Sequence, residues 1–184
     1  MSLFLRLFIS VNFDSAVKEQ LLEIQGQLRS QCARGNFTRS ENLHLTLAFL
    51  GETPEEQVPS ILKIIEDVRI APDVLPEAGH FEISFSHTGC FTHSHKELWW
   101  IGVDENCPGL CRLKAIHGEL IRHLSDAGIS VDKRPFNPHI TLGREVKHLQ
   151  QITLNCSEIK AKVNRISLMK SERIGGKLAY SELS

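Results

Sequence analysis

The sequence predicts an α+β fold, in which helices and strands alternate at first and strands cluster later in the chain. Strand-like runs at residues 3–11 and 42–52 are each followed by a helix-like run. Two further strands, at 80–92 and 97–103, have no helix between them, which argues against a doubly wound parallel sheet. Hydrophobic residues make up 41% of the 184 residues, which is sufficient for a sizeable core.

The predicted helices have recognisable start and stop signals. Asp14 is suited to cap the first helix, and Thr53-Pro54-Glu55-Glu56 is typical of a helix start with Thr53 as the cap. Gly128 marks the end of the third helix. The helices are predicted at about 15–33, 54–70 and 108–127, and the remaining strands at 138–144 and in a terminal hairpin of 159–170 with 177–183.

Charge and hydropathy exclude several classes of protein. The formal net charge is −1, so the chain is not built to coat long nucleic acid, although a local basic pocket could bind a nucleotide or an RNA end. The sequence contains no run of about 18 apolar residues, so we do not expect a membrane-spanning helix. The N-terminal SLFLRLFIS is interrupted by Arg6 and is typical of a first strand rather than a secretory signal. We therefore expect a cytoplasmic protein.

Cysteine and histidine spacing does not predict a metal site. The five cysteines are scattered, with Cys107 and Cys111 as the one close pair, and we expect free thiols in a reducing compartment. His93 and His95 lie in a polar turn without a third ligand in the sequence around them, which predicts a solvated loop.

The stretch NLHLTLAFLGE, residues 42–52, alternates like a strand but contains an ionisable side chain. Side chains of a strand project alternately from its two faces, so the leucines and Phe49 are expected on one face. His44, Thr46 and Ala48 are expected on the other face. One such histidine is more often structural than catalytic.

The pattern recurs in PHITLGR, residues 138–144, where His139 and Thr141 share a face. A His-x-Thr-Leu tetrad thus appears twice, each time in a strand-like context. Two copies predict two similar half-sites that face one cleft, in which one neutral imidazole accepts a proton and one protonated imidazole donates a proton. Phosphorus in a phosphodiester suits this pair, because the entering and leaving oxygens lie on opposite sides of it.

Further residues are candidates for binding the substrate. The hydroxyls of Thr46 and Thr141 can donate hydrogen bonds to phosphate oxygens, and Arg144 can add a positive charge. Strand alternation points Arg144 away from His139 unless Gly143 bends the chain. The sequence places Arg134 and Phe136 before the second tetrad, where they could stack on a nucleobase.

NLHLTLAFLGE and RPFNPHITLGR resemble the paired signatures of the 2H phosphoesterase superfamily, and most closely its RNA 2′,3′-cyclic phosphodiesterase branch, also called the 2′-5′ RNA ligase family. RLFISV near the N-terminus, Leu98-Trp99-Trp100 and Gly175-x4-Tyr180 extend the resemblance over nearly the whole chain. It implies one bilobal domain over residues 1–184, with two mainly antiparallel sheets lining a central cleft and helices packed outside. Gly143 departs from the family, which usually has a larger residue there.

The resemblance also implies an activity and roles for residues. The activity is hydrolysis of a terminal 2′,3′-cyclic phosphate to a 2′-phosphomonoester without a metal or other cofactor, and some members join tRNA halves through a 2′-5′ bond. His44 would protonate the leaving 3′ oxygen and His139 would activate water. The expected partner is an RNA end, such as a tRNA fragment, or a small nucleotide, and the expected state is a monomer.

Two alternatives stay open: a module that binds a nucleotide or RNA end without turnover, and a histidine-based metal hydrolase, which would lose activity with a chelator.

The remaining aromatic and charged candidates are less specific. One of Trp99 and Trp100 is expected in the core and the other beside the cleft, His117 and His123 are expected to be ordinary helix residues, and Arg6 is a candidate to point into the cleft.

Overall fold

A computed structural model describes residues 3–69, 79–94, 96–149 and 151–184, and confirms the predicted α+β class. Within these residues, most strands pair antiparallel and three α-helices pack against them. The strands are β1 (Phe4–Asn12), β2 (Cys32–Phe37), β3 (His44–Pro54), β4 (Phe81–His93), β5 (Lys96–Val103), β6 (His139–His148), β7 (Ile159–Val163), β8 (Ser167–Ile174) and β9 (Lys177–Leu183), and the helices are α1 (Ser15–Ser30), α2 (Val58–Arg69) and α3 (Gly109–Asp126).

The two predicted sheets are joined into one antiparallel sheet in the order β7-β4-β5-β6-β3-β1-β8-β9, with β2 also paired to β6. One lobe contains β3, β1, β8 and β9, and the other contains β7, β4, β5, β6 and β2. The lobes meet between β3 and β6, where Leu45 and Ile140 form the one register pair within the described residues. This narrow junction places the two strands with the His-x-Thr tetrads side by side at the centre of the sheet.

The helices cover the outer faces of the sheet and close a continuous core. α1 packs on β2, β6 and β7, while α2 contacts β8 and α3. α3 contacts both β3 and β4, so it bridges the two lobes. The core contains the inward-facing residues of both lobes, from Leu7 of β1 to Leu168 of β8. None of the helices in the described ranges is long and apolar enough to cross a membrane.

The predicted starts of the helices are partly confirmed. The carboxylate of Asp14 accepts a hydrogen bond from the amide of Val17, which caps α1 as predicted. Thr53 does not cap α2, because β3 continues through Pro54 and the Thr53 hydroxyl donates to the carbonyl of Gly51. A short 3-10 helix, Glu55–Gln57, then leads into α2.

One predicted helix end and one predicted strand pairing were wrong. The first helix ends at Ser30 rather than 33, because Cys32–Phe37 forms a strand that pairs with β6. That strand, CARGNF, is polar and short, so its sequence lacks a strand pattern. The terminal hairpin consists of β8 and β9 alone, while Ile159–Val163 pairs with β4 in the other lobe. The end of the predicted second helix, at residue 70, lies outside the described residues.

Candidate active site

The two His-x-Thr tetrads flank the junction of the lobes. Leu45 and Ile140 are fully buried and pair across the junction, so their side chains belong to the core face. Antiparallel register around this pair sets His44 opposite Thr141 and Thr46 opposite His139, and all four side chains project from the other face. Each histidine is therefore closest across the strands to the threonine of the other tetrad.

These four side chains open onto one cleft of about 1280 Å³ between the lobes. His44 and His139 are diagonal neighbours across the junction, and diagonal positions of an antiparallel pair are separated by roughly 7–8 Å. His139 also acts electrostatically on His44, so the two rings lie close to each other in the cleft. The cleft is also lined by Arg6, Phe8, Phe49, Phe91, Leu98, His117, Arg134, Phe136, Arg144, Lys170, Arg173 and Tyr180.

Both imidazoles are held in the same orientation by the backbone two residues before them. His44 Nδ1 donates to the carbonyl of Asn42 at 2.7 Å, and His139 Nδ1 donates to the carbonyl of Asn137 at 2.6 Å. Because a carbonyl can only accept, the proton of each neutral ring is on Nδ1. Nε2 of each ring is left as the atom that can exchange a proton in the cleft. At His44, Nε2 accepts a hydrogen bond from the hydroxyl of Thr46 at 3.0 Å.

The environment favours the neutral form of both rings. The pKa of His44 is lowered to about 4, mainly by burial and to a smaller extent by the charges of Arg144, His139 and Lys18, while the hydrogen bond to the Asn42 carbonyl acts in the opposite direction. Burial likewise lowers the pKa of His139, with smaller contributions from Arg144 and Arg134 against the Asn137 carbonyl. Two proton-accepting Nε2 atoms therefore face the cleft at neutral pH, and an anion bound between them would raise both pKa values.

Aromatic rings pack against each imidazole from its own lobe. Phe8 of β1 and Tyr180 of β9 lie 4.8 and 5.1 Å from the His44 ring, between ring centroids. Phe91 of β4 and Trp100 of β5 lie 5.4 and 5.9 Å from the His139 ring. These contacts account for the burial of the two rings and restrict their rotation.

Arg144 reaches the cleft because β6 is irregular at Gly143. Trp99 pairs with Gly143 and Trp100 with Thr141, so one step along β5 corresponds to two steps along β6. This bulge resets the alternation of β6, and Arg144 lines the cleft on the same side as Thr141. From the sequence, Arg144 was expected to point away from His139 unless Gly143 bent the chain. The irregularity at Gly143 is this bend.

Arg144 is also a positive charge without a carboxylate partner among the described residues. Three other basic side chains of the cleft are paired with carboxylates: Arg6 with Glu52 at 3.5 Å, Arg134 with Asp132, and Lys170 with Glu172 at 2.8 Å. Arg144 acts electrostatically on both His44 and His139. Its charge is therefore available to an anion between the histidines.

Arg134 and Phe136 line the cleft. Asp132 holds the guanidinium of Arg134, with Nε 2.8 Å from Oδ2. His117 of α3 stacks flat on Phe136, with centroids 4.1 Å apart and an angle of 6° between the rings. The prediction that His117 is an ordinary helix residue missed this contact, which leaves only one face of Phe136 for a ligand.

The other candidates of the sequence are also located. Trp99 packs against the core and Trp100 against His139, as expected for adjacent residues of a strand. Arg6 does point into the cleft, where its guanidinium lies 5.0 Å from the centroid of Phe49. Phe49 was expected to face the core, but a register shift in the β1–β3 pairing turns its ring to the cleft. The five cysteines are free, His93 is exposed, and His95 lies outside the described residues.

Sequence reasoning missed the groups that orient the histidines. Asn42 and Asn137 each precede a histidine by two residues, so the repeat is Asn-x-His-x-Thr-Leu, and the additional asparagine was a visible signal. Phe8 and Phe91 gave no such signal, because each is one apolar residue in a strand.

A comparison with family models matches residues 13–175 to the 2′-5′ RNA ligase superfamily. The chain belongs to this superfamily. A relative named RNA 2′,3′-cyclic phosphodiesterase from Thermotoga maritima is 32% identical over 142 residues, which cover 76% of this chain and 70% of the relative. A relative of the same name from Escherichia coli is 26% identical, with 97% of this chain and 93% of the relative covered.

A solved structure has a similar fold. The crystal structure of E. coli LigT complexed with 3′-AMP matches with a TM-score of 0.81 at 24% identity, and the match covers 98% of this chain and 96% of LigT. The family and the fold that the sequence predicted are thus confirmed.

Proposed function

We propose that this protein hydrolyses RNA 2′,3′-cyclic phosphate ends to 2′-phosphomonoesters by acid–base catalysis with two histidines. One observation carries the proposal: His44 and His139 present their Nε2 atoms to one cleft from both sides of the Leu45–Ile140 junction. Curated relatives that carry the name RNA 2′,3′-cyclic phosphodiesterase support the substrate class. The protein would work as one bilobal, cytoplasmic monomer over residues 1–184.

In the proposed mechanism, Nε2 of His139 takes a proton from water as its oxygen attacks phosphorus. The bond from phosphorus to the 3′ oxygen breaks, and Nε2 of His44 gives a proton to that oxygen. The products are a 2′-phosphomonoester and a free 3′ hydroxyl. His44 must enter this step protonated, and the negative charge of the substrate phosphate supplies the increase in its pKa that this requires.

The remaining polar groups would bind the phosphate. Thr46 and Thr141 donate to its nonbridging oxygens, and Arg144 pairs with its negative charge in the bound substrate as well as in the transition state. Thr46 leaves its hydrogen bond to His44 Nε2 to do so. The free face of Phe136 and the exposed guanidinium of Arg134 would contact the nucleobase.

If the 5′ hydroxyl of a second RNA attacks phosphorus in place of water, the same displacement forms a 2′-5′ phosphodiester. We therefore include ligation as a second outcome of the same cleft. Addition of an RNA with a 5′ hydroxyl to the assay below would reveal it as a longer product.

The test is an assay on an RNA oligonucleotide that ends in a 2′,3′-cyclic phosphate, with and without EDTA. We expect a 2′-phosphate product at an EDTA-independent rate, and losses of about 10²–10⁴-fold in kcat for both His44→Ala and His139→Ala. Near-normal turnover by either variant would contradict the two-histidine mechanism. Binding of the RNA without turnover would favour a binding module, and loss of activity in EDTA would favour a metal hydrolase.

A substrate with sulfur in place of the bridging 3′ oxygen separates the two roles. A thiolate leaves without protonation, so this substrate should restore turnover to the variant that lacks the acid. We expect rescue of His44→Ala and none of His139→Ala. Rescue of His139→Ala and not of His44→Ala would mean that His139 is the acid and His44 the base.

A further inference from the structure

A second groove with an excess of positive charge lies beyond the cleft, on the lobe that contains β6. Its volume is about 390 Å³, and it is lined by parts of three neighbouring strands. Arg34 comes from β2, Lys147 from β6 and Lys96 from β5. The proposed reaction at the histidines uses none of these side chains.

The three cations form a row across the sheet. Arg34 is directly opposite Lys147 in the β2–β6 pairing, and Glu97 is opposite Val146 in the β5–β6 pairing, which sets Lys96 beside Lys147. Residues opposite each other in an antiparallel pair project from the same face. Neighbouring strands are about 4.8 Å apart, so the backbones of the outer two strands are roughly 10 Å apart.

The row lies on the same face of the sheet as the cleft. Leu98 lines the cleft, and Lys96 is two residues away on β5, so both project from the same face. Arg144, which is opposite both Leu98 and Asn36, lies between the cleft and the row. Four residues along β5, from Trp100 to Lys96, span roughly 13 Å. The groove therefore continues the cleft past Arg144.

The positive charges of this groove outnumber the carboxylates that could neutralise them. Like charges directly opposite each other in a sheet destabilise it, yet Arg34 and Lys147 are paired in this way. Glu145 is the carboxylate of the groove; its Oε1 lies 2.5 Å from Lys96 Nζ, and its Oε2 accepts a hydrogen bond from Asn36. Arg34 and Lys147 take part in none of the ion pairs found within the described residues, so the groove keeps a net positive charge.

We propose that the groove formed by Arg34, Lys96 and Lys147 binds internal phosphodiesters of an RNA strand whose cyclic phosphate end lies between His44 and His139. The inference rests on the proposed function and makes it narrower: the preferred substrate is an RNA chain rather than a mononucleotide. A phosphodiester backbone provides regularly spaced anions, and the row is too far from the histidines to contact the reacting phosphate. The next phosphates on the 5′ side of the terminal nucleotide are the anions that extend past Arg144.

The test compares two substrates, a nucleoside 2′,3′-cyclic phosphate and a short oligonucleotide with the same 3′-terminal nucleotide. The variant is Arg34→Gln with Lys147→Gln. The matched control, Lys160→Gln with Lys162→Gln, removes the same charge from exposed positions of β7. We expect the groove variant to lose about tenfold in kcat/KM on the oligonucleotide at low salt and to retain wild-type kcat/KM on the mononucleotide. The control should equal wild type on both.

Salt dependence provides a second measurement that does not need turnover. Binding of a labelled oligonucleotide that ends in a 2′-phosphate is followed by fluorescence anisotropy at several salt concentrations. Loss of two phosphate contacts should lower the slope of log affinity against log salt by about 1.4 in the groove variant and leave it unchanged in the control.

The outcomes separate this inference from the proposed function. Equal losses on both substrates, or none on the oligonucleotide with an unchanged salt slope, would overturn the inference while hydrolysis stands. If wild type hydrolyses neither substrate, the proposed function fails, and the anisotropy slopes alone then decide whether the groove binds RNA.

Discussion

Leu45 and Ile140 face each other across the junction of the two lobes, and both are fully buried. On either side of this pair, the chain places a histidine and a threonine on the opposite face. The separation of His44 and His139 is thus set by two apolar side chains that never contact the cleft. Packing in the core and geometry in the cleft are coupled at this one position.

Leu45→Ala tests this coupling. Truncation of a fully buried leucine leaves a cavity and should lower the free energy of unfolding by about 2–5 kcal/mol. Because the cavity lies between the two tetrads, kcat should fall as well at temperatures where the variant is folded. Leu168→Ala in β8, which is 1% exposed, is the matched control. It should lose comparable stability and keep its kcat, and an equal loss of kcat in both variants would refute the coupling.

Thr46 and Thr141 should contribute through their hydroxyls rather than their shape. Threonine to valine keeps the volume and removes the donor, so each valine variant should lose about 1.5–3 kcal/mol of transition-state stabilisation, or about 10–150-fold in kcat/KM. Threonine to serine keeps the donor and should stay within about threefold of wild type. If serine and valine variants were equally impaired, the hydroxyls would not be phosphate ligands.

Gln25 of α1 should act as a positioning residue for Arg144. Its side chain is buried, and its Nε2 donates to the carbonyls of Thr38 at 2.7 Å and Leu142 at 2.8 Å. Leu142 lies at the bulge that turns Arg144 to the cleft. Gln25→Met should therefore increase KM more than it lowers kcat, because the cation that binds the phosphate is displaced.

The control for Gln25→Met is Gln20→Met in the same helix, where the side-chain amide donates to the exposed carbonyl of Ala16. That variant should match wild type in stability and KM. Gln25→Met should also lose about 1–3 kcal/mol of stability, because the buried carbonyl of Leu142 and the partly buried carbonyl of Thr38 each lose a donor. A stability loss with KM unchanged would mean that Gln25 is structural only.

Alternation along the strand was sufficient to predict much of the site. It placed His44 and Thr46 on one face and Leu45 on the other, and the repeat around His139 placed the second half of the site. It failed at Phe49 and left Arg144 undecided, because both follow an irregularity in strand pairing. Such bulges depend on partners that are distant in sequence, as the bond from Gln25 to Leu142 illustrates.

The β2 strand shows a second limit of the sequence. CARGNF has no apolar alternation, because its pairing with β6 at the edge of the lobe buries little of it. Its function in the structure is to extend the sheet beside Arg144 and to present Arg34. A strand formed by backbone pairing alone has no signal in hydrophobic periodicity.

His44 should make the protein sensitive to acid. Its pKa is about 4 in the folded protein and near 6.5 when unfolded, so between these values the unfolded state binds more protons. Its contribution to stability is therefore complete above pH 6.5 and is lost as the pH falls toward 4. By pH 4.5 the loss of unfolding free energy should be about 2–3 kcal/mol, as measured by urea unfolding.

His44→Gln should reduce this loss, and His93→Gln, at an exposed position, should not. Identical pH dependence in all three proteins would contradict the assigned burial of His44.

Binding of the product should draw a proton into the cleft. A nucleoside 2′-monophosphate between His44 and His139 stabilises an imidazolium whose pKa is low in the free protein, so the complex takes up a proton at pH 7–8. Affinity should then decrease with rising pH, by up to about tenfold for each pH unit. Calorimetry in two buffers of different ionisation enthalpy measures the uptake directly. His44→Ala should take up fewer protons than wild type, whereas Thr46→Ser should equal it. Uptake of no proton by wild type would mean that the phosphate does not lie between the two rings.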